Sequence, residues 1–305
     1  MPHPPRRTLG FLACALASAF WGCGFYFGKI ALAEMHFGAM VLYRFAFAIL
    51  ALLPLLLTHK PGLNAREWRI LLLASFLGVP VQFLIQFYGL SITTVSHASL
   101  MVGTMPVILA LGAALFAHER MDKLGWTALA ASTLGATLIA LGHSRATVNG
   151  PTLTGDLLIV LSLGIALFWI LISKHLLQTH SAVVVTAYGL LAGTLMLALF
   201  VPLAYGPPPF ASVSLKAWAA LAASGVLCTA ASTLLWNWGL TQVPASQAGV
   251  LLNIEPLIGS LLGILLLGET LGPSAWLGGA LIVAAAFTLT LHSKTTTRTP
   301  VATLN

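Results

Sequence analysis

Charged residues are scarce in this sequence, and their scarcity excludes most kinds of soluble protein. Asp, Glu, Lys and Arg make up 7% of the 305 residues, whereas an ordinary globular protein carries about 25%. Hydrophobic residues make up 58%, so a fold of this size could not cover itself with polar groups in water. A soluble enzyme, a nucleic-acid-binding protein and a disordered segment are therefore excluded as interpretations, and a lipid bilayer is the expected environment.

The motifs of metal sites and of common catalytic sites are also lacking. Cys14, Cys23 and Cys228 lie in apolar stretches without the spacing of a metal site, where a thiol is usually a small packing residue. There is no Ser-His-Asp set, Gly-rich phosphate loop or His-Glu-x-x-His motif. We therefore expect no enzyme activity, no cofactor and no metal.

Apolar segments long enough to cross a bilayer, about 20 residues each, are abundant. Short joins with Gly, Pro or charged residues separate them. The sequence predicts an all-α integral membrane protein with ten transmembrane helices, at residues 9–30, 38–57, 69–90, 95–117, 124–142, 154–176, 183–204, 216–239, 246–267 and 274–292.

The first of these segments has a second interpretation as a cleavable signal peptide. Arg6-Arg7 precedes an apolar run that contains Ala17-Ser18-Ala19, which resembles a cleavage site. The apolar run continues through Phe27, longer than the apolar region of a usual signal. A membrane span is therefore the favoured interpretation.

The positive charges indicate how the spans are oriented. If the N-terminus is cytoplasmic, the cytoplasmic segments hold Arg6, Arg7, Lys60, Arg66, Arg69, Arg120, Lys123, Lys174, Lys294 and Arg298. The opposite side holds only Lys29, Arg145 and Lys216, and Arg44 lies within a span. Because cytoplasmic loops carry the excess of Lys and Arg, both termini are expected in the cytoplasm, and the basic composition requires no nucleic acid.

The two halves of the chain repeat each other. At an offset of 150 residues, matching residues coincide at Gly89 and Gly239, Ser96 and Ser246, Pro106 and Pro256, Glu119 and Glu269, and Trp126 and Trp276. At an offset of 145, Gly10 meets Gly155, Lys29 meets Lys174 and Tyr43 meets Tyr188. Residues 1–145 and 146–305 are thus predicted to be two five-helix repeats. An odd number of spans places the second repeat upside down, as in secondary transporters with a substrate site between the halves.

Both halves resemble the EamA domain of the drug/metabolite transporter superfamily. The motifs are Phe20-Trp21-Gly22 with Lys29, Tyr43-Arg44-Phe45, Gly89-Leu90, Met105-Pro106 and His118-Glu119-Arg120, then Leu167-Phe168-Trp169 with Lys174, Asn253-Ile254-Glu255-Pro256 and Leu267-Gly268-Glu269-Thr270. The resemblance covers nearly the whole chain, although His118 stands where the family usually has Gly. It implies a ten-helix carrier that works by alternating access, often an exporter of amino acids, other metabolites or toxic compounds.

Glu255 is the strongest candidate for the transport site. It lies about ten residues into the ninth predicted span, beside Pro256, which is expected to free a backbone carbonyl there. Burial disfavours the charged form of a carboxyl, so a carboxyl that alternates between water and the interior can take up and release a proton. We expect Glu255 to bind a proton or a cationic substrate group; a packing role is the alternative.

Two polar stripes are predicted to face each other between the halves. Gln247 and Glu255 share one helical face, and the offset of 150 assigns His97, Met101 and Met105 to the matching face. His97 has the alternative of bonding a neighbouring backbone carbonyl. The remaining candidate substrate-binding residues are Trp21, Arg44, Gln82, Gln86, Trp169 and Asn253. For Arg44, snorkelling towards the interface is the default expectation; because it lies deepest of the span-end cations, attraction of a substrate carboxylate is its alternative role.

These observations favour a secondary transporter in a bacterial inner membrane, most simply an exporter of amino acids or related metabolites with proton coupling through Glu255. A nucleotide-sugar or phosphate-ester exchanger is the alternative, but it needs several central cations and only Arg44 is available. A membrane-embedded enzyme or a channel is the alternative of another class. The expected partners are a small-molecule substrate and the bilayer, with the chain a monomer or, through Gly259 and Gly263, a homodimer.

Overall fold

The computed structural model describes residues 4–116, 123–141, 150–243 and 249–296, and every regular element in these ranges is helical. Helices are the expected result, because each backbone N–H and C=O in a bilayer must find a partner within its own segment. The helices are α1 (Pro4–Leu32), α2 (Phe37–Thr58), α3 (Ala65–Phe76), α4 (Gln82–Ser91), α5 (Val95–Val102), α6 (Met105–Phe116), α7 (Lys123–Leu141), α8 (Leu153–Leu176), α9 (Ala182–Tyr205), α10 (Leu215–Gly225), α11 (Ser232–Gln242), α12 (Ile254–Leu267) and α13 (Pro273–Thr296).

The described part of the chain has six helical runs that are long and apolar enough to cross a membrane. They are Arg7–Leu32, Phe37–Thr58, Ala65–Ser91, Leu153–Ser173, Ala182–Tyr205 and Leu215–Gly239. Three further helices are also apolar but shorter, at Trp126–Ile139, Leu251–Leu267 and Pro273–Ala285. The all-helical membrane class is thus confirmed, while the count of ten spans stays a prediction.

Helix α1 lies at the centre of the bundle. It packs against α10, α11 and α12 from the second half of the chain and also contacts α4 and α5 from the first. Helices α7 and α13 pack together, with Gly135 and Gly278 each lying directly against the backbone carbonyl of the other. Residues near the middle of α1 are therefore placed to meet side chains from both halves.

Two long runs are interrupted by a π-helical turn rather than being continuous α-helices. The first turn, Leu77–Val81, joins α3 to α4, and the second, Val226–Ala231, joins α10 to α11. A π turn shifts the backbone hydrogen bonds by one residue, and such turns are frequent at functional sites. These two lie at matching positions of the sequence repeat, since Gly78 and Cys228 are 150 residues apart.

The segments predicted as a fourth and a ninth continuous span are broken. Helix α5 ends at Val102 and α6 begins at Met105, and a 3₁₀ turn, Gly249–Asn253, precedes α12. The expectation of uninterrupted helices over 95–117 and 246–267 is therefore wrong. Broken helices at membrane depth are tolerated where the protein interior satisfies the free backbone groups. Such breaks occur around the substrate sites of transporters.

We call one end of the bundle the Lys29 end: α1, α4, α9 and α12 finish there, and α2, α5, α8, α10 and α13 begin there. The Glu34 carboxylate joins two of its loops, because it accepts hydrogen bonds from the backbone N–H and the hydroxyl of Ser214 at 2.7 and 2.6 Å. These bonds lower the pKa of Glu34. At the other end the carboxylate of Glu67 lies 3.0 Å from the ring of His180.

Candidate functional site

The central face of α1 is aromatic. Trp21 and Phe25 are four residues apart and so share one helical face. The Trp21 ring lies 5.4 Å from that of Trp236 on α11, and the Phe25 ring 6.2 Å from that of Phe87 on α4. The Trp236 ring therefore packs against α1. This face brings together groups from both halves of the chain.

Arg44 on α2 is buried beside this face rather than extended towards the membrane interface. Its side chain is 4% exposed. Nε donates to the hydroxyl of Thr229 at 2.8 Å, and Nη2 donates to the carbonyl oxygen of Cys228 at 3.1 Å. The guanidinium also lies 5.1 Å from the ring centres of both Phe83 and Phe87. Cation–π attraction of this kind compensates part of the lost hydration.

The second π turn supplies the groups that hold Arg44. The hydroxyl of Thr229, which accepts from Arg44, donates to the carbonyl oxygen of Ser224 at 3.0 Å, and the Cys228 carbonyl accepts from Arg44. A methyl group added to Gly24 would lie 3.6 Å from Nη1 and Nη2 of Arg44. Nη1 makes no hydrogen bond to a residue that the structure describes, so its N–H groups can still donate to a ligand carboxylate.

Trp169 occupies the matching position at the first π turn. Its ring on α8 lies directly against Gly78, and a methyl group added there would sit 2.8 Å from the indole Nε1. At the sequence offset of 145, Trp169 corresponds to Gly24. An aromatic ring thus lies against one π turn, while Gly24 and the guanidinium of Arg44 lie against the other. The two halves are chemically different at matching places.

Glu255 lies in the first turn of α12, not in the middle of a continuous helix. Pro256 follows it in the same turn, where a helix tolerates proline because the first N–H groups have no helical partner. The expectation that Pro256 frees a carbonyl inside a helix is therefore wrong. The partial positive charge of a helix N-terminus favours a carboxylate at this place.

The broken segments of the two halves meet beside Glu255. Gly103, in the break between α5 and α6, lies against Pro256: a methyl group added there would sit 3.5 Å from Pro256 Cγ. Gly22 of α1 approaches from the other side, since its added methyl would lie 2.6 Å from the Glu255 carbonyl oxygen. Glu255 is therefore held where α1, α12 and the break after α5 converge.

Arg44 and Glu255 flank the aromatic face of α1. With about 100° per residue, Gly22 and Gly24 lie on either side of the face that carries Trp21. One faces the turn of Glu255 and the other faces Arg44. No ion pair within 4.0 Å joins the two side chains in the described part of the chain. The arrangement can hold a ligand with both a negative and a positive group.

Most of the other predicted site residues are buried. Gln82 and Gln86 on α4 are both 7% exposed, and Oε1 of Gln82 has no hydrogen-bond partner among the described residues. Met101 is buried on α5, and Asn253, at the start of α12, is buried as well. Gln247 lies outside the described residues.

His97 makes a contact that the sequence did not indicate. Its Nδ1 lies 3.0 Å from a carboxylate oxygen of Asp156 on α8, and both side chains are almost completely buried. The predicted alternative, a bond from His97 to a backbone carbonyl, stays a prediction. The sequence does not single out Asp156 as a site residue, because it lies near the start of a predicted span. It is one of only seven acidic residues in the chain, which was the available signal.

One concave surface of the described residues lies away from these side chains. An apolar groove of about 470 Å³ runs between α3 and α9, and it is lined by Trp68, Leu72, Tyr188, Leu191, Ala192, Leu195, Met196 and Leu199. None of the predicted site residues contributes to it. The predicted central cavity therefore remains a prediction, and the central residues are packed together in this conformation.

Comparison with known proteins identifies a family of transporters. A sequence profile of the EamA-like transporter family matches residues 8–141 and again 153–291. An uncharacterized transporter of Archaeoglobus fulgidus is 27% identical over 286 residues, covering 92% of this chain and 96% of its own. A "Probable terminal-alkyne amino-acid exporter" of Streptantibioticus cattleyicolor is 27% identical over 227 residues, 72% of each chain. A solved crystal structure has the same fold, with a TM-score of 0.66 at 16% identity, covering 96% of this chain and 99% of that one.

Proposed function

This chain belongs to the EamA-like transporter family, and we propose that it is a secondary active transporter that exports amino acids or related small metabolites by alternating access. The observation that carries the substrate class is the pair of opposite charges at the aromatic face of α1. Arg44 offers donors to a carboxylate, and Glu255 offers a counter-charge to an ammonium group. Trp21 supplies an apolar surface between them.

The proposed architecture is ten spans in two inverted repeats, residues 1–145 and 146–305, with both termini in the cytoplasm of a bacterial cell. The family profile matches once in each repeat. Matching glycines also make matching contacts: Gly10 of α1 packs on Gly239 of α11, and Gly155 of α8 packs on Gly89 of α4. An inverted pair of repeats supports two exchangeable conformations around one central site.

Proton coupling is assigned to Glu255. In the proposed cycle, water reaches this carboxyl when one side is open, and the carboxylate ionises there. When the bundle closes, the carboxyl is either protonated or neutralised by the ammonium group of bound substrate. The Glu255 carboxyl binds either a proton or the substrate ammonium group, but not both at once. Proton and substrate therefore move in opposite directions, and an inward proton gradient drives export of the substrate.

Exchange of nucleotide sugars or phosphate esters is less well supported. A phosphate group calls for several donors of positive charge. Among the Lys and Arg side chains of the described residues, Arg44 is the buried one, and the half-buried Lys29 donates to the backbone carbonyls of Leu90 and Thr93 at the Lys29 end. Arg44 alone remains for an anion. The relative named as an amino-acid exporter agrees with the choice of substrate.

The substrate class can be tested by thermal unfolding of the purified protein with added ligands. Zwitterionic amino acids are expected to raise the unfolding temperature, since a ligand at 100 times its Kd stabilises by about 2.7 kcal/mol. The corresponding amino-acid amides, which lack the carboxylate, and N-acetyl derivatives, which lack the ammonium group, are expected to give no shift. A shift with phosphate esters and none with amino acids would overturn the proposed substrate class.

A further inference from the structure

The turn between α4 and α5 is tied to two other helices at the Lys29 end. The Lys29 ammonium of α1 donates to the carbonyl oxygens of Leu90 and Thr93 at 2.9 and 2.5 Å. The hydroxyl of Thr152, which precedes α8, donates to the carbonyl oxygen of Ile92 at 2.6 Å. These bonds satisfy carbonyls that the end of α4 leaves without helical partners. Lys29 therefore points inward rather than snorkelling to the interface.

The start of α5 is fastened from a third direction. The Glu269 carboxylate, in the loop between α12 and α13, accepts from the backbone N–H of Val95 and of Ser96, each at 2.7 Å. It also accepts from the Ser96 hydroxyl at 2.6 Å. A carboxylate on the first N–H groups of a helix is favoured by the helix dipole. Helices from both halves of the chain thus converge on residues 90–97.

Asp156 and His97 form the buried centre of this group. Asp156 is 0% exposed and His97 3%. One carboxylate oxygen of Asp156 accepts from the Thr93 hydroxyl at 2.5 Å, and the other lies 3.0 Å from Nδ1 of His97. The pair therefore links α8 to the turn that Lys29 and Glu269 hold.

With Lys29 protonated and both carboxylates ionised, the charges in this group balance when His97 carries a proton. Lys29 contributes one positive charge, and Glu269 and Asp156 contribute one negative charge each. With neutral His97 the group has a net charge of −1; with protonated His97 it is neutral. These are the titratable groups that the described parts of α1, α5, α8 and the loop after α12 present here. An unbalanced buried charge is costly, and a paired one much less so.

We propose that His97 and Asp156 form a proton-binding site whose protonated form keeps the Lys29 end of the bundle closed. The ligand is a proton from the water at that end, which reaches the exposed loop beside Thr152. The inference rests on the alternating access proposed above, since a closed end must open once in each cycle. It assigns the opening of this end to loss of the proton from the pair, and leaves substrate coupling to Glu255.

Hydrogen exchange of the intact protein in lipid nanodiscs tests this site without any substrate. The protection factors of amides in residues 90–99 are expected to fall on the order of tenfold between pH 5 and 8, the range in which histidine changes charge. Protection of residues 234–242, where α11 reaches the opposite end and carries no titratable side chain, is expected to stay constant. Protection in 90–99 that does not depend on pH would overturn the proposal.

Two variants and one control sharpen the test. His97→Gln keeps a donor for Asp156 but cannot titrate, so protection in 90–99 should no longer depend on pH. Asp156→Asn leaves protonated His97 without its counter-charge, so the gain in protection at low pH should disappear. Lys216→Gln, which removes an exposed charge at the same end of the bundle, should keep the pH dependence of the parent. A parent-like pH dependence in His97→Gln would contradict the assignment, and if that variant does not fold, the same result in Asp156→Asn would do so.

The outcome for this site is separable from the outcome for the transport function. If the protection of 90–99 titrates as described but no substrate is transported, the proton site stands and the proposed function fails. If amino acids are transported and His97→Gln has the parent's pH profile of exchange, the proton site fails and the function stands.

Discussion

Glu255→Gln is expected to abolish the response of transport to a pH gradient while the protein still folds and inserts. Glutamine keeps the shape of the side chain and much of its hydrogen bonding, but it cannot exchange a proton. For one coupled proton, a gradient of one pH unit is worth about 1.4 kcal/mol, or about tenfold in substrate accumulation. We expect that factor to fall to about one in proteoliposomes loaded with amino acid and exposed to imposed pH gradients.

The matched control for this change is Glu67→Gln. Glu67 closes the capping box at the start of α3 with Asn64, and glutamine serves in that motif as well. Its transport rate and pH profile should equal those of the parent. If Glu255→Gln also transported with the parent rate and pH profile, Glu255 would be a packing group and the coupling mechanism would be wrong.

Arg44→Gln is expected to weaken substrate binding by about tenfold to a hundredfold, the loss of one charge-assisted hydrogen bond of about 1.5–3 kcal/mol. The pH dependence of transport should change much less, because Glu255 remains. A lower unfolding temperature is also expected, since the Cys228 carbonyl and Thr229 lose their buried donor. Substrate affinity from calorimetry, with the unfolding temperature measured on the same sample, separates the two effects.

Two further variants distinguish a substrate-binding role from a structural one. Arg44→Lys keeps the charge but loses the planar fork, so it should restore part of the affinity for amino acids. Lys216→Gln, an exposed cation at the start of α10, should leave the affinity unchanged. An Arg44→Gln protein that unfolds at a lower temperature but binds substrate with the parent affinity would show that Arg44 only braces the π turn.

The sequence predicted the helical class, the family and the residues that carry charge at the centre. The length of the apolar segments and the distribution of charge are sufficient to predict the helical class, because a bilayer permits few other structures. Arg44 and Glu255 were identifiable because charged groups inside apolar segments are rare. Glu269, which the repeat pairs with Glu119, accepts from the N–H groups that begin α5.

The irregular parts of the helices were not predictable from periodicity. Both π turns and the breaks before α6 and α12 lie within continuous apolar runs, where the hydropathy pattern does not change. The pairing of His97 with Asp156 joins residues 59 positions apart, so it depends on how α5 packs against α8. Gly78 lies in the first π turn and Gly24 lies on α1 beside the second. Only the structure shows that Gly78 contacts the Trp169 ring and that Gly24 contacts the Arg44 guanidinium.

The most direct test of the account is counterflow in proteoliposomes that contain the purified protein and no ATP. Vesicles loaded with unlabelled amino acid should take up trace labelled amino acid transiently above its external concentration, with a rate that saturates. A carrier with one alternately exposed site requires this overshoot. Uptake that never exceeds the external concentration and rises linearly with substrate would indicate a channel and contradict the account.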